Sequence, residues 1–312
     1  MDNSTPSPPG ACRIRLPDPF DLRNLALGHG WAQLDPFQWD NDAGRLAHAT
    51  TFPDGRVAEW EVSQMTQESL DIRVSSGNAA DYHAAVEAIS WSLRLEDSFA
   101  DFHALCEQYP ALTQAARERQ GRLLRSPTVW EDVAKTICTT CTTWARTREM
   151  ITALCREWGT PGPRRHGFPT PAAIAAAEEN DLRRATGMGY RARYLKALAA
   201  AQAEGRLDLE AFKTDSRPGA EIRASLLALP GIGPYAAANL LMLLGRYDYL
   251  AVDSWVRRVV GKSWFRGRPV TDAEILAAFE PFHRWTALVY WYWDWDAAEE
   301  WTWRPGRAAD TG

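Results

Sequence analysis

Two short segments of the chain carry residues whose types and spacing could support chemistry on an anionic substrate. The first is Leu229–Gly233, which has the sequence LPGIG and is followed by Pro234. Its two glycines leave the turn almost free of side chains, so a phosphate could approach the backbone closely. The N–H groups at the start of the next helix would then face that phosphate. An ordinary turn between two helices would have the same form.

The second segment is YLAVDSWVRRVVGK, which contains Asp253. This aspartate follows an apolar run and precedes a predicted helix that begins at Ser254, so it lies at a helix N-terminus. A carboxylate at that place is stabilised in its ionised form. Aspartate also serves there as an ordinary N-cap, and the two interpretations are compatible.

The elements that must position these residues are mostly helical. From about Ala79 onward, apolar residues recur at a spacing of three to four, and Ser126-Pro127 and Gly187 are typical of helix ends. Proline is favoured at the first helical position because its missing N–H costs nothing there. The sequence therefore predicts a helical hairpin over residues 219–246, with Leu229–Gly233 as its turn.

The part of the chain before these helices favours strands. The segments IRLP, WAQLDPFQW, RLAHATTF, RVAEWEVSQM and LDIRVSS alternate or run apolar, and turns such as NDAG and PDGR separate them. We therefore predict an α+β protein with an N-terminal antiparallel β-rich domain and a larger all-α domain. The predicted boundaries are a disordered lead at 1–12, the β-rich domain at 13–95, the helical domain at 96–303 and a disordered tail at 304–312.

Composition excludes several classes of protein. Hydrophobic residues make up 46% of the 312 residues and charged residues 24%, as in ordinary globular proteins. No apolar run approaches the roughly 18 residues of a membrane-spanning helix, and the first residues lack the regions of a secretory signal. The five scattered cysteines suit reduced thiols. We expect a cytoplasmic monomer without a membrane partner, associated with the nucleoid if the protein is bacterial.

The distribution of charge permits binding to nucleic acid although the net charge is −5. Between Asp181 and Arg268 there are fifteen Lys and Arg residues against eight Asp and Glu residues. Such an asymmetry allows a phosphate-binding face on an acidic protein. Arginine-rich helices that are simply solvated produce the same count.

These motifs resemble those of the helix-hairpin-helix DNA glycosylases, the HhH-GPD superfamily. Leu229–Gly233 is similar to the family pattern L-P-G-[IV]-G, and VDSWVRR at 252–258 approaches the V-D-x-x-V-x-R that follows. GMGYRARYL at 187–195, LLRSPTVWEDVAKTIC and FPTP at Phe168 resemble the 8-oxoguanine glycosylase branch. The resemblance covers roughly residues 95–300 by motif and the N-terminal domain by its shape.

The resemblance implies that double-stranded DNA is the partner and that the target nucleotide is flipped out of the duplex. Asp253 would stabilise the cationic sugar as the N-glycosidic bond breaks, and would help to position water. The backbone carbonyls of Leu227, Leu229 and Ile232 would hold a sodium or potassium ion near a phosphate, and the chemistry itself would need no cofactor. The implied DNA-contacting residues are Leu229, Pro230, Gly231, Ile232, Gly233, Tyr190, Arg191, Arg146 and Arg257.

Within that set, Tyr190 resembles the residue that fills the gap in the base stack. Arg191 and Arg146 resemble the arginines that contact the base opposite the lesion. The family's asparagine-rich stretch at this base is replaced here by Cys141-Thr142-Thr143, so the preference for the opposite base is expected to be altered or relaxed.

Two further departures from the family pattern concern chemistry. Bifunctional members have a lysine nucleophile where this chain has Tyr235, and a tyrosine cannot form a Schiff base. Some relatives carry a four-cysteine iron–sulfur loop after the aspartate, whereas GKSWFRGRPVTD contains no cysteine. We therefore expect neither lyase activity nor an iron–sulfur cluster.

The pocket for the flipped base is predicted from helical spacing and from the aromatic C-terminal stretch. Tyr235 and Asn239 lie one turn apart on one side of the second hairpin helix. Tyr290, Trp291 and Trp293 could stack on the base, which is worth about 1–3 kcal/mol per stacked base. Packing in the core is the alternative for each of these rings.

The sequence thus predicts a monofunctional DNA glycosylase that leaves an abasic site, with an oxidised or alkylated purine as the favoured substrate. A bulky modified base, such as a modified phage cytosine, is an alternative substrate and would indicate anti-phage defence. A non-catalytic DNA-binding protein, in which Asp253 is only an N-cap, is an alternative of another class. A lyase that uses Lys262 or the N-terminal amine is a third.

Overall fold

A computed structural model describes residues 11–16, 20–66, 68–75 and 79–295 of the chain. The strands are β1 (Ala11–Arg15), β2 (Gln38–Asp40), β3 (Arg45–Thr51), β4 (Val57–Thr66) and β5 (Ser69–Val74). The α-helices are α1 (Leu22–Leu27), α2 (Ala79–Leu93), α3 (Ala100–Cys106), α4 (Thr113–Arg117), α5 (Val129–Thr139), α6 (Trp144–Trp158), α7 (Pro171–Ala176), α8 (Glu179–Thr186), α9 (Arg191–Ala203), α10 (Gly219–Leu227), α11 (Pro234–Leu243), α12 (Ser254–Trp264), α13 (Asp272–Phe279) and α14 (Thr286–Tyr292). Short 3₁₀ helices occupy Trp31–Gln33, Pro110–Leu112, Glu210–Lys213 and Glu280–Trp285.

The N-terminal sheet is antiparallel, with the strand order β1-β5-β4-β3-β2. This confirms the predicted α+β class with a β-rich N-terminal part. Alternation along β4 buries Trp60 and Val62 completely, and Trp60 lies opposite His48 of β3. Two features differ from the sequence interpretation. The helix α1 lies within the strand-rich region, and WAQLDPFQW forms a 3₁₀ turn with a short strand only after Pro36, because proline cannot donate to a sheet.

The ends of the chain relate to the prediction as follows. Residues 1–10 of the predicted lead at 1–12 lie outside the described residues. Its last two residues, Ala11 and Cys12, belong to β1 and pair with β5. The predicted tail at 304–312 lies outside the described residues. None of the helices in the described ranges is both long and apolar enough to cross a membrane.

The chain packs as two compact units. The first contains residues up to 97, residues 122–215 and residues 229–231, and the second contains residues 98–121, residues 216–228 and the chain from 232 onward. This division does not follow the predicted boundary at residue 95. Helices α5 to α9 group with the sheet rather than with the C-terminal helices.

The first unit is organised around α5, which is buried along almost its whole length. The Glu131 carboxylate on α5 accepts a hydrogen bond from the Lys135 ammonium at 2.6 Å. It also lies 3.2 Å from Nε2 of His48 on β3. The neighbouring Asp132 accepts from the Trp31 indole at 2.8 Å. Buried charges require such partners, so these contacts explain why α5 groups with the sheet.

The electrostatic consequences of this burial differ between the two carboxylates. Burial raises the pKa of Asp132 to about 6, although hydrogen bonds from Ser126 and Trp31 oppose the shift. Burial also opposes ionisation of Glu131, yet the charges of Lys135 and His48 outweigh it and lower the pKa of Glu131 to about 2.

The second unit has an aromatic core. The Trp264 ring on α12 lies 4.6 Å from Phe279 and 4.9 Å from Trp293, measured between ring centroids. Tyr247 and Trp285 stack at 5.7 Å. Aromatic rings bury large apolar areas and prefer tilted or edge-on contacts. This core therefore holds α12, with Asp253 at its start, against α13 and the C-terminal helix α14.

Candidate active site

The predicted hairpin consists of α10 and α11 joined by a tight turn. Gly231 has a φ of +82°, in the left-handed region that favours glycine. Gly233 is extended, with a φ of −94°, and Pro234 occupies the first turn of α11. The local conformation thus follows the turn and proline rules from which the hairpin was predicted.

Gly231 also lies close to a neighbour that the sequence analysis did not identify. A Cβ at Gly231 would lie 2.8 Å from Cβ and Cγ of Tyr194 on α9. The Tyr194 hydroxyl in turn accepts from Arg193 at 2.8 Å. The motif around Tyr190 and the hairpin turn are therefore in direct contact, and Tyr194 is the residue that joins them.

The second hairpin helix buries its alanines and leucines and leaves Tyr235 exposed, with 49% of its surface accessible. Asn239 follows one turn later and is half-buried. Its side-chain amide donates to the Tyr235 carbonyl at 3.0 Å. These two residues therefore lie one turn apart on the less buried side of α11, as their spacing predicted, and their role in base binding stays a prediction.

Asp253 is the N-cap of α12 and is exposed. Its Oδ1 accepts a hydrogen bond from the Val256 backbone N–H at 2.8 Å, so the carboxylate is oriented by the helix terminus. Among the described residues, Oδ2 accepts no hydrogen bond. One oxygen is therefore fixed by the helix, while the other is available to a substrate.

The environment of Asp253 includes one residue of the C-terminal helix. Tyr290 is half-buried, and its burial together with the negative charge of Asp253 raises its pKa to about 12. The Tyr290 phenol therefore lies within electrostatic range of Asp253, and the sequence analysis assigned both residues to one site.

Trp255, two residues after Asp253, was missed by the sequence analysis. It is the most exposed tryptophan among the described residues, with 56% of its surface accessible. The guanidinium carbon of Arg258 lies 4.0 Å from its ring centroid, a cation–π contact. The signal was present in VDSWVRR, where an aromatic residue follows the aspartate at the start of a helix.

The other predicted aromatic residues separate into two groups. Trp291 is exposed, so a ligand can reach its ring. Trp293 is 3% exposed and packs against Trp264, Phe282 and Tyr109. The prediction that Trp293 stacks on a base is therefore corrected: its ring belongs to the core of the second unit.

The three predicted arginines are engaged in different ways. Arg191 is 8% exposed and donates to the carbonyls of Met188, Thr140 and Cys141. A buried guanidinium needs such acceptors, so Arg191 fixes the loop between α5 and α6, and the prediction that it contacts a base is corrected.

Arg146 and Tyr190 are exposed, as a DNA contact requires. Arg146 pairs with Glu149 at 2.6 Å and donates to the Gly187 carbonyl at 3.3 Å. Tyr190 is 47% exposed. In the second unit, the exposed Arg257 forms a bidentate pair with Asp272 at 2.6 and 2.8 Å. Their DNA-contacting roles stay predictions.

Comparison with known proteins gives the class of this fold. Residues 134–283 match the family model of the HhH-GPD superfamily base excision DNA repair protein. MBOgg1, solved in complex with a low affinity DNA ligand, shares 22% identity at a TM-score of 0.74, over 95% of this chain and 98% of that one.

Two further solved structures are similar. The 3-methyladenine DNA glycosylase from Archaeoglobus fulgidus shares 20% identity at a TM-score of 0.74, over 90% of this chain and 96% of that one. The apo form of the Clostridium acetobutylicum 8-oxoguanine glycosylase/lyase shares 20% identity at a TM-score of 0.71, over 92% of this chain and 96% of that one. At these identities the structural likeness establishes the fold.

The helical hairpin and the aspartate that caps the helix after it both lie within the segment that matches the family model. The match to the HhH-GPD model over residues 134–283, together with the shared fold, confirms the resemblance found in the sequence.

Proposed function

We propose that this protein is a monofunctional DNA glycosylase that flips a damaged or modified base out of duplex DNA and hydrolyses its N-glycosidic bond. The observation that carries the proposal is Asp253, an exposed carboxylate with one oxygen held by the α12 backbone and the other available. In the reaction, the bond between sugar C1′ and the base nitrogen breaks. Water then bonds to C1′, and the base leaves with a proton.

Asp253 suits this reaction because positive charge develops on the sugar as the base departs. A fixed carboxylate stabilises such a charge without reorganising during the reaction. The N–H of Val256 at the helix N-terminus orients the carboxylate, and Oδ2 is free to accept a proton from the attacking water. The same geometry orients the carboxylate before the substrate arrives.

The positions of the lysines support hydrolysis without lyase chemistry. The sequence contains four lysines. Lys135 pairs with the buried Glu131, Lys196 donates to the carbonyls of Ala175 and Ala177, and Lys213 donates to Pro127.

The fourth lysine, Lys262, lies in the last turn of α12. Nine residues separate it from Asp253, or about 13 Å along a helix. An amine that attacks C1′ would have to lie at the reacting sugar. At the position of the family's lysine, Tyr235 offers a phenol instead.

Phosphate binding is proposed for the hairpin. Among the described residues, the N–H groups of Gly233 and Tyr235 donate no hydrogen bond to the backbone, as is usual for the first turn of a helix. An N-terminus of this kind binds phosphate oxygens. We propose that the turn contacts the DNA backbone there.

The hairpin carbonyls fit a monovalent cation. In the described ranges, the carbonyl oxygens of Leu227, Leu229 and Ile232 accept no hydrogen bond, and carbonyl oxygens are suitable ligands for sodium or potassium. We propose that these three residues hold such an ion, which would supply positive charge for a phosphate. No group of three or more His, Cys, Asp or Glu side chains suited to a metal ion occurs in the part of the chain that the structure describes.

The favoured substrate is an oxidised or alkylated purine. Tyr235, Trp255 and Trp291 are exposed aromatic residues of the second unit, which suits stacking on a flipped base. The solved structures with this fold include a 3-methyladenine DNA glycosylase and an 8-oxoguanine glycosylase/lyase. A modified cytosine is the alternative that a substrate panel would distinguish.

The test compares Asp253→Asn with Asp21→Asn. Asp21 caps α1 with the same geometry, accepting from the Asn24 N–H at 2.7 Å, and asparagine remains a good N-cap. Both variants should therefore fold. We expect base release from lesion-bearing duplexes to fall at least about 100-fold only for Asp253→Asn. Equal rates in the two variants would remove Asp253 from the mechanism.

The monofunctional part has its own test. The wild-type product should be an intact strand with an abasic site that breaks only after alkali, and borohydride should trap no protein–DNA adduct. A trapped adduct would show that an amine takes part in the reaction.

A further inference from the structure

A cavity of about 1080 Å³ lies within the first unit, and of the predicted DNA-contacting residues only Arg146 lines it. Its walls come from α6, from the segment between α1 and β2, and from the chain around Gly187. Phe37 and Trp39 contribute apolar surface. The cavity is also lined by five arginines, Arg146, Arg148, Arg156, Arg165 and Arg184. We name it the arginine groove.

The acidic residues in the groove do not compensate for this charge. They are Glu149, which pairs with Arg146 at 2.6 Å, and Asp35, which accepts from the Thr152 hydroxyl at 2.5 Å. The lining therefore has a clear excess of positive charge, although the whole protein carries a net charge of −5.

Two of the arginines have no carboxylate partner among the described residues, namely Arg148 and Arg165. Nη1 of Arg165 is buried without a hydrogen-bond acceptor in the same ranges, as is Nε1 of Trp39. Buried donors of this kind are rare in folded proteins. The carboxylates of the described residues thus leave the charge of both arginines uncompensated.

Two other arginines pair only with residues outside the lining. Arg156 contacts Glu157 at 2.8 Å and Arg184 contacts Asp181 at 2.6 Å. These pairs are largely exposed, and exposed ion pairs contribute about 0–1 kcal/mol. Both arginines can therefore exchange their partners for a phosphate at little cost.

The spacing of the groups indicates an extended ligand. Arg148, Thr152 and Arg156 lie at intervals of four residues on α6, so they share one face and span about 12 Å. A DNA strand carries one phosphate per roughly 3.4 Å of helix axis. This face is therefore long enough for about three successive phosphates, more than a free nucleotide or phosphate ion would occupy.

We propose that the arginine groove binds the phosphodiester backbone of DNA that extends beyond the base-excision site. One end of the groove lies close in the chain to Tyr190, a predicted DNA contact of the same unit, since Arg146 donates to the carbonyl of Gly187, three residues before the exposed Tyr190. The inference rests on the proposed function, because it takes DNA as the ligand. The groove increases the length of duplex that the protein holds and takes no part in bond cleavage.

The test is a salt titration of binding to a long duplex without a lesion and to one with an abasic-site analogue. For Arg148→Gln/Arg165→Gln we expect the slope of log K against log salt to fall by about 1.8, or 0.9 per lost phosphate contact. Arg13→Gln/Arg206→Gln is the matched control, because both arginines are exposed and lie outside the groove. Since Arg165 is half-buried, Arg148→Gln/Arg156→Gln is a second variant with two exposed arginines.

Duplex length gives an independent readout. Shortening one strand stepwise on either side of the lesion should weaken wild-type binding until the groove is empty, and should leave the Gln variants unaffected over that range. An unchanged salt slope in both groove variants would overturn the proposal. Binding of inorganic phosphate or a nucleotide by wild type alone, without an effect on the DNA salt slope, would overturn it in favour of a small anion.

The two proposals can fail separately. Single-turnover base release at saturating protein should be unchanged in the groove variants, because they retain Asp253 and the hairpin. If no substrate is cleaved but the salt slope still falls, the proposed function fails and the groove stands. If cleavage depends on Asp253 while the slope is unaffected, only the groove proposal fails.

Discussion

Replacing Gly231 by alanine should weaken both the fold and DNA binding, for reasons that the structure separates. The first is backbone conformation, since a φ of +82° costs a non-glycine residue about 1–2 kcal/mol. The second is the contact with Tyr194, because the new Cβ would lie 2.8 Å from it. Overpacking of this kind costs about 1–3 kcal/mol, so we expect a total loss of about 2–5 kcal/mol.

The assay combines urea unfolding with fluorescence anisotropy on a duplex that carries an abasic-site analogue. If the variant stays folded but its turn is distorted, a loss of about 2 kcal/mol in binding free energy would weaken the affinity for DNA roughly 30-fold. Gly233→Ala is the matched control, since this glycine has a φ of −94° and no atom within 4 Å of the added Cβ.

A third variant separates the two causes. Asparagine tolerates the left-handed region better than alanine does, so Gly231→Asn should recover part of the loss if backbone conformation dominates. It should recover none if the contact with Tyr194 dominates. Equal stability and equal affinity of Gly231→Ala and Gly233→Ala would refute the reasoning, because neither cause would then operate.

Three other predictions concern side chains packed inside one unit or the other. Lys135→Met should destabilise the fold by about 3–5 kcal/mol, because it leaves Glu131 buried without its main partner; urea unfolding measures this. Burial and the charge of Arg94 lower the pKa of His29 to about 3. The wild-type protein should therefore lose up to about 1.4 kcal/mol of stability per pH unit as the pH falls from 6.5 toward 3. His29→Leu should abolish this pH dependence. Trp264→Ala should cost about 3–5 kcal/mol, whereas Trp291→Ala should change stability by about 0.5 kcal/mol or less and weaken base release.

The controls and contrary outcomes are as follows. Adding Glu131→Gln to Lys135→Met should recover part of the stability, and no recovery would argue against an uncompensated charge. The sign for His29 follows from its depressed pKa: the unfolded chain takes up a proton below pH 6.5 while the folded chain does not. His83→Leu, at an exposed histidine, should therefore keep the wild-type slope. A loss of stability in Trp291→Ala as large as that in Trp264→Ala would contradict the placement of Trp291 at the surface.

The sequence by itself was sufficient for features that depend on neighbouring residues. Proline at the first helical position, a glycine that permits positive φ and an aspartate before a helix act within a few residues. The hairpin and the N-cap at Asp253 were therefore predictable. Period-two alternation likewise predicted the antiparallel sheet, because side chains of a strand alternate between its faces.

The tertiary structure alone decided which side chains are exposed and which are buried. The run YWYWDW does not show that Trp291 is exposed while Trp293 packs in the core, since that depends on Trp264 and Tyr109 from distant segments. Arg191 is buried because the loop between α5 and α6 supplies carbonyl acceptors.

The arginine groove and the contact between Tyr194 and Gly231 have the same origin. Arg165 and Trp39 are more than 120 residues apart along the chain, yet both line one cavity. Local propensity acts over a few residues, whereas burial and cavities arise from contacts between distant segments. For this reason the sequence was sufficient to predict the elements that carry Asp253 and the hairpin, and only the folded chain showed which residues surround them.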